Sequence, residues 1–283
     1  MISLGLDLGS RYTKAIAIDE SGNILARHVE RTKPPFEATA AAVVDALLRQ
    51  AGLALADVDY VTTTGFGRLT VPFRHMQVTD LTSAARGAAA LLPETSMVLD
   101  IGFQSTRAIA VGPGGRVLDF KTNDKCAAGA GGFVERTARY LEVDLEDIGT
   151  LSLSAAEPVA ISSICAVLAE SEIINHVTEG RPVENIVRGV HRALAIRALA
   201  LMRRLGSPSS VTLVGGMALQ SGLVAEVQAA ANLPVLVPDL PQWVAALGAA
   251  KVGIQRLGAS TRSPQRPPRL SVLAPQSKAV RLP

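Results

Sequence analysis

The chain has 283 residues, of which 48% are hydrophobic and 19% charged, which excludes an intrinsically disordered protein and favours two domains. The net charge of +3 comes from the segment 259–283, which has five basic residues and no acidic one, against 23 basic and 25 acidic residues elsewhere. This balance excludes a strongly basic nucleic-acid-binding surface. No secretion signal or membrane-spanning run is visible, so we expect a cytoplasmic protein with no nucleic-acid or membrane partner and a flexible basic tail.

The N-terminal part predicts a small sheet followed by a helix. ISLGLDLGS is an apolar run ending in glycine, and RYTKAIAID and ILARHVER read as further strands around the turn SGN. FEATAAAVVDALLRQAG has the spacing of an amphipathic helix closed by Gly52. VDYVTTTG then reads as a short strand.

A second stretch repeats this pattern. GLDLGSRYTKAIAI and VLDIGFQSTRAIAV align without gaps, and helical runs, the strand VTLVGG and the helix VAALGAAKVGIQRLG follow. The repeat predicts two similar domains facing each other across a cleft. We place the first domain at residues 1–93 plus about 241–258, the second at 94–240, and the tail at 259–283.

Two carboxylates occupy equivalent positions in the repeats. Asp7 and Asp100 each end a strand beside a glycine, and facing carboxylates can order a hydrated Mg²⁺ against a polyphosphate. Glycine lets the backbone approach phosphate oxygens, although a glycine pair also occurs where only a tight turn is needed. The candidate binding residues in these segments and in VTLVGGMALQSGLV are Gly9, Ser10, Thr13, Lys14, Gly102, Gly215 and Gly216.

These segments, with the closing helix at Ala246–Ala250, resemble the phosphate-1, phosphate-2 and adenosine motifs of the actin and sugar-kinase ATPase superfamily. The resemblance implies an α/β fold of two ribonuclease-H-like domains with a nucleotide cleft between them. It also implies ATP or ADP and Mg²⁺ as ligands.

The chain has two cysteines, and each precedes a helical run. Cys126 lies in NDKCAAGAGGFVE and Cys165 in SSICAVLAESE, and a helix start lowers the pKa of a thiol. The structural alternative is a buried Cys165 and an incidental Cys126. An iron–sulfur cluster usually takes four thiolates, so a cluster shared between two subunits related by a two-fold axis fits the count of two cysteines per chain.

NDKCAAGAGGFVE and SSICAVLAESEIINHV resemble the signature segments of the activator/ATPase family. The resemblance to this family extends from about residue 3 to residue 256. This family contains the 2-hydroxyacyl-CoA dehydratase activators and the ATPase subunits of benzoyl-CoA reductases (BadF/BadG/BcrA/BcrD type). The resemblance implies a [4Fe–4S] cluster held by Cys126 and Cys165 of two subunits. It further implies ATP-driven electron transfer to a catalytic dehydratase or reductase partner, with a ferredoxin as donor and a homologous or identical second ATPase subunit.

The second phosphate motif departs from the family pattern. The family commonly has DIGGQDxK where this chain has DIGFQSTR. Phe103 therefore replaces a glycine and crowds the backbone's approach to phosphate, Ser105 replaces a carboxylate, and Arg107 replaces a lysine. Gln104 remains, and we expect it to orient the attacking water beside the catalytic carboxylates Asp7 and Asp100. A heterodimer tolerates one weakened subunit, so these departures favour the ATPase subunit of a benzoyl-CoA reductase over a homodimeric dehydratase activator.

Two alternatives of other classes remain open. An N-acetylglucosamine-type sugar kinase needs a catalytic aspartate and a polar sugar site, and would be free of iron. A structural or regulatory ATP-binding module would keep its properties when Cys126 or Cys165 is changed to serine. Glu170 and Glu172 lie within about two turns of Cys165, where they would tune a cluster, but ordinary surface carboxylates on a helix are the default interpretation.

Overall fold

The computed structural model describes residues 1–123, 130–162 and 166–260. The described residues form two compact units, one made of Met1–Gly87 and residues 245–260, the other of residues within Ala88–Val244. The domain boundaries predicted from the sequence, after residue 93 and near residue 241, stay predictions. No helix in the described part of the chain is long and apolar enough to cross a membrane.

The first unit contains a five-stranded sheet in the order β3-β2-β1-β4-β5. Its strands are β1 (Ser3–Leu8), β2 (Tyr12–Ile18), β3 (Ile24–Arg31), β4 (Tyr60–Gly65) and β5 (Met76–Gln77). β1, β2 and β3 pair antiparallel, while β4 pairs parallel with β1.

Three helices accompany this sheet: α1 (Phe36–Ala51), α2 (Asp80–Leu91) and α8 (Val244–Ser260). α1 buries Val43, Val44 and Leu47, at the spacing that places them on one helix face. It ends at Gly52, whose left-handed backbone (φ 65°) closes the helix, and this confirms the predicted end.

The second unit contains another five-stranded sheet in the order β10-β9-β6-β7-β8. Its strands are β6 (Met97–Ile101), β7 (Thr106–Gly112), β8 (Arg116–Asn123), β9 (Val211–Val214) and β10 (Val235–Leu236). Its helices are α3 (Gly131–Tyr140), α4 (Ile148–Ser154), α5 (Ala166–Thr178), α6 (Val183–Arg203) and α7 (Ser221–Ala231). Phe133, Ile173 and Leu194 from three of these helices meet in one apolar core.

The two sheets share one connectivity. In each, three consecutive strands pair antiparallel, and the first of them pairs parallel with a later strand, β1 with β4 and β6 with β9. The gap-free sequence repeat therefore corresponds to a structural repeat, because both copies form the first hairpin of their sheet.

A fully buried histidine lies in the core of the second unit. His191 on α6 is 0% exposed, and neither ring nitrogen has a hydrogen-bond partner among the described residues. Burial lowers the pKa of His191 to about 4, against the opposing charge of Glu226. Burial also tends to raise the pKa of Glu226, but hydrogen bonds from Arg188 and Arg192, both 2.8 Å long, outweigh it and lower that pKa.

Candidate functional site

The first candidate carboxylate is held by a cation on the neighbouring strand. Asp7 lies in β1 directly opposite Lys14 of β2, and Lys14 Nζ is 3.1 Å from Asp7 Oδ2. Both side chains are largely buried, at 13% and 15% exposure. The alternation of strand side chains brings this pair to one face of the sheet. In such a pair the carboxylate can bind a metal ion while the neighbouring ammonium group donates to a phosphate oxygen.

The second unit contains the same arrangement. Asp100 in β6 lies opposite Arg107 in β7, and Arg107 Nη1 donates to Asp100 Oδ2 at 3.0 Å. The repeat thus places a carboxylate–cation pair at equivalent positions of two sheets. Arginine replaces lysine in the second pair, and its guanidinium offers more donors to a phosphate than an ammonium does.

A tight hairpin turn connects the two residues of each pair. Gly9 N–H donates to Tyr12 O at 3.1 Å, and Gly102 N–H donates to Ser105 O at 2.9 Å. Ser10 is half-buried in the first turn and Gln104 is exposed in the second. Gln104 is therefore accessible to a water molecule, as its predicted role requires.

Thr13 has a different environment from Lys14. It is fully buried and lies on the opposite face of β2 from its neighbour. Its hydroxyl is 2.9 Å from that of Thr32, which donates to Gly9 O at 2.8 Å. The structure thus places Thr13 in a hydrogen-bond chain that supports the first turn, and its contact with phosphate stays a prediction.

The glycine pair after β9 divides into two roles. Gly215 has a positive φ of 92°, and a Cβ built there would lie 2.5 Å from Ile101 O and 2.6 Å from Asp100 Oδ1. Gly216 is exposed, and a Cβ there would meet nothing within 4 Å. Gly215 lets β9 approach Asp100, whereas Gly216 borders open space.

Sequence analysis missed the matching glycine of the first unit. Gly65 ends β4, has a φ of 86°, and a Cβ there would lie 2.6 Å from Asp7 Oδ1. Its N–H donates to Asp80 Oδ1 at 3.1 Å. The glycine that ends VTTTG, like the one that ends VTLVG, was the available signal.

The departures from the family motif have visible consequences. The ring of Phe103 would lie 3.3 Å from a Cβ on Gly132 at the start of α3, so it packs against that helix. Ser105, at the position where the family commonly has a carboxylate, is only 9% exposed.

Both predicted cluster ligands, Cys126 and Cys165, lie outside the described residues. Within the described residues no group of three or more potential metal-ligating side chains comes together. The flanking carboxylates are not free surface groups: Glu170 binds Arg136 at 2.6 Å, and Glu172 accepts a hydrogen bond from Ser162 N–H.

Comparison with known proteins identifies the family to which this chain belongs. Residues 4–253 match the BadF/BadG/BcrA/BcrD ATPase family. The chain is 37% identical over 250 residues to the 2-hydroxyisocaproyl-CoA dehydratase activator of Clostridioides difficile, covering 88% of this chain and 94% of that protein. It is 38% identical over 267 residues to a benzoyl-CoA reductase subunit of Thauera aromatica, covering 90% of this chain and 94% of that protein.

Solved structures give the fold independently. The activator of the 2-hydroxyisocaproyl-CoA dehydratase from Clostridium difficile with bound ADPNP superimposes with a TM-score of 0.89 at 35% identity, over 96% of this chain and 100% of that one. A ROK family glucokinase from Streptomyces griseus shares the fold alone, with a TM-score of 0.56 at 16% identity over 90% and 100% of the two chains. The predicted α/β fold of the actin and sugar-kinase type is confirmed, and the chain belongs to the BadF/BadG/BcrA/BcrD ATPase family.

Proposed function

We propose that this chain is the ATP-hydrolysing, electron-transferring activator of a 2-hydroxyacyl-CoA dehydratase. The observation that carries the proposal is the repeated carboxylate–cation pair, Asp7–Lys14 at 3.1 Å and Asp100–Arg107 at 3.0 Å, in a member of an ATPase family. The similarity to dehydratase activators, over 88% and 96% of the chain, supports this choice of partner.

The nucleotide is ATP or ADP with Mg²⁺, as membership of an ATPase family implies. The residues fit these ligands, because the carboxylates offer the oxygen ligands that Mg²⁺ prefers and Gly216 leaves open space beside it, where the nucleoside would lie. In the first unit, Asp7 would bind the hydrated metal, and Lys14 and the turn at Gly9 would bind phosphate oxygens. In the second unit, Asp100 would bind the hydrated metal and the turn at Gly102 would bind phosphate oxygens. Gln104 would orient the attacking water.

Cys126 and Cys165 would supply two thiolates, and a second copy of the chain would supply the other two ligands of a [4Fe–4S] cluster. When bound, the cluster supplies one-electron transfer at low potential, with a reduced ferredoxin as donor.

The ATPase subunit of a benzoyl-CoA reductase is the second candidate. It is supported by the 38% identity to the Thauera aromatica reductase subunit and by Phe103 and Ser105 in the second phosphate motif. On this alternative the chain pairs with a homologous rather than an identical subunit. The dehydratase activator ranks first because an activator is similar to this chain both in sequence and in a solved structure over nearly its whole length.

Activation assays with purified catalytic components test the proposal. The anaerobic protein is reduced by ferredoxin and mixed with a 2-hydroxyacyl-CoA dehydratase or with benzoyl-CoA reductase catalytic subunits, with ATP or a non-hydrolysable analogue. We expect the dehydratase to be activated with ATP but not with the non-hydrolysable analogue. Asp100→Asn should lower this activation about 100-fold.

The matched control is Asp119→Asn, because Asp119 is an exposed carboxylate on β8 that pairs with Lys121. It should keep wild-type activation. Activation of the reductase subunits alone would select the second candidate, and ATP-independent electron transfer to either partner would contradict the proposal.

A further inference from the structure

The backbone N–H and C=O of Gly65 are both hydrogen-bonded to side chains of the first unit. Gly65 N–H donates to Asp80 Oδ1 at 3.1 Å, and Arg68 Nη1 donates to Gly65 O at 3.1 Å. The two side chains also lie beside each other, with Arg68 Nη1 4.0 Å from Asp80 Oδ1. The last residue of β4 is therefore held by one carboxylate and one guanidinium group.

Gly65 in turn limits where the Asp7 carboxylate can lie. A Cβ on Gly65 would lie 2.6 Å from Asp7 Oδ1, so not even a methyl group fits between that oxygen and the backbone of β4. Lys14 Nζ lies 3.1 Å from the other oxygen, Asp7 Oδ2. The carboxylate is thus held between Lys14 and Gly65, and a displacement of Gly65 would change the direction in which Asp7 presents its oxygens.

Asp80 is the first residue of α2, but the helix begins securely without its carboxylate. Thr79 Oγ1 accepts a hydrogen bond from Thr82 N–H at 3.2 Å, which is the interaction of an N-cap residue. The hydroxyl groups of Thr64 and Ser83, 2.8 Å apart, join α2 to β4. The hydrogen bond of the Asp80 carboxylate to β4 therefore has a purpose other than capping the helix.

The second unit holds its matching glycine in another way. Gly215 N–H donates to the backbone oxygen of Pro241 at 3.0 Å, and Gly215 O accepts from Ala218 N–H at 3.2 Å. Backbone groups thus do here what Asp80 and Arg68 do in the first unit. The repeat preserves the contact between glycine and aspartate, but in the first unit side chains fix it.

We propose that Asp80 and Arg68 are positioning residues of the magnesium site, which hold Gly65 against Asp7 and so orient the Asp7 carboxylate towards the hydrated metal. The inference rests on the proposed function and deepens it. Loss of a residue that orients a metal ligand typically lowers metal affinity about 10–100-fold. Asp80 should contribute more than Arg68, because the backbone N–H of Arg68 also donates to Gly65 O, at 3.3 Å.

Calorimetric titration of the full anaerobic chain with AMP-PNP, in Mg²⁺ or in EDTA, tests the inference. The measured quantity is the factor by which Mg²⁺ tightens AMP-PNP binding. Asp80→Ala should reduce this factor about tenfold, and Arg68→Met about threefold. Asp80→Asn should stay within about twofold of the wild type, because its amide oxygen can still accept from Gly65 N–H and a partly exposed ion pair adds little.

The matched control is Glu184→Ala, which removes an acidic side chain from the first turn of α6. It loses the same favourable interaction with a helix N-terminus and should keep the wild-type factor. A purely structural role of Asp80 would lower the fraction of protein that binds, but would leave the factor unchanged.

A wild-type factor in Asp80→Ala would overturn the inference alone, as would an Asp80→Asn variant as impaired as Asp80→Ala. If Asp80→Ala does not fold, an unchanged factor in Arg68→Met would overturn it. A wild-type protein that does not bind AMP-PNP, or binds it equally in Mg²⁺ and EDTA, would overturn both the inference and the proposed function.

Discussion

Gly215 and Gly216, the adjacent glycines after β9, should respond differently to replacement by alanine. The first substitution should lower the stability of the protein, and the second should weaken nucleotide binding. Gly215→Ala places a side chain at φ 92° and ψ 174°, a region that costs about 1–3 kcal/mol for a non-glycine residue. The new Cβ would also lie 2.5 Å from Ile101 O, and such overpacking costs about 1–3 kcal/mol more. We therefore expect Gly215→Ala to lower the free energy of unfolding by about 2–6 kcal/mol.

Gly216→Ala should behave differently, because its Cβ points into open space. Its free energy of unfolding should stay within about 0.5 kcal/mol of the wild type. The methyl group would instead intrude on the bound nucleoside and weaken Mg-ATP binding about tenfold, which corresponds to about 1.4 kcal/mol.

Urea denaturation followed by circular dichroism, without nucleotide, measures the first effect, and isothermal titration calorimetry measures the second. The reasoning is refuted if Gly216→Ala destabilises the protein as much as Gly215→Ala. It is also refuted if Gly216→Ala binds Mg-ATP as tightly as the wild type.

Three further outcomes follow from the described contacts. His191 has a folded pKa of about 4, below its unfolded value of about 6.5, so the unfolded state gains the proton first as the pH falls. The free energy of unfolding should thus decrease by up to about 3 kcal/mol as the pH falls from 6.5 to 4. Urea titrations across that range should show a shallower decrease for His191→Leu. The same pH dependence in the variant and the wild type would contradict the lowered pKa of His191. Lys14→Met removes the cation 3.1 Å from Asp7 and should weaken Mg-ATP binding about tenfold in calorimetry. Lys33→Met, at an exposed position, is the control and should leave Mg-ATP binding unchanged. Equal losses of affinity in the two variants would refute a specific role of Lys14. Phe103→Gly should raise steady-state ATP hydrolysis about tenfold relative to the bulk-retaining Phe103→Leu, and equal rates in the two variants would show that the ring does not limit turnover.

Local sequence repeats predicted the paired hairpins because each copy contains its complete pattern within one continuous stretch. Asp7 and Asp100 were therefore predicted to be equivalent positions. In the structure each lies opposite a cationic residue seven positions later in the sequence, Lys14 and Arg107. Gly65 was missed, since a helix separates it from the first hairpin and only the parallel pairing of β4 with β1 brings it to Asp7.

Contacts between distant segments were not predictable from pattern. Nothing in GAGGFVE indicates that Gly131 meets Met217, because that proximity depends on the packing of β6, β9 and α3 together. Glu170 likewise reads as a surface carboxylate, since helical periodicity alone does not show which neighbour covers a helix face. The two cysteines were assigned by resemblance, and their role remains a proposal.

Native mass spectrometry of the anaerobically purified protein, with iron analysis of the same sample, tests the central claim most directly. The account predicts two ATPase chains that share one four-iron cluster. Cys126→Ser and Cys165→Ser should each lose the cluster but still bind Mg-ATP. A single iron-free chain, or iron content that is unchanged in both serine variants, would contradict it.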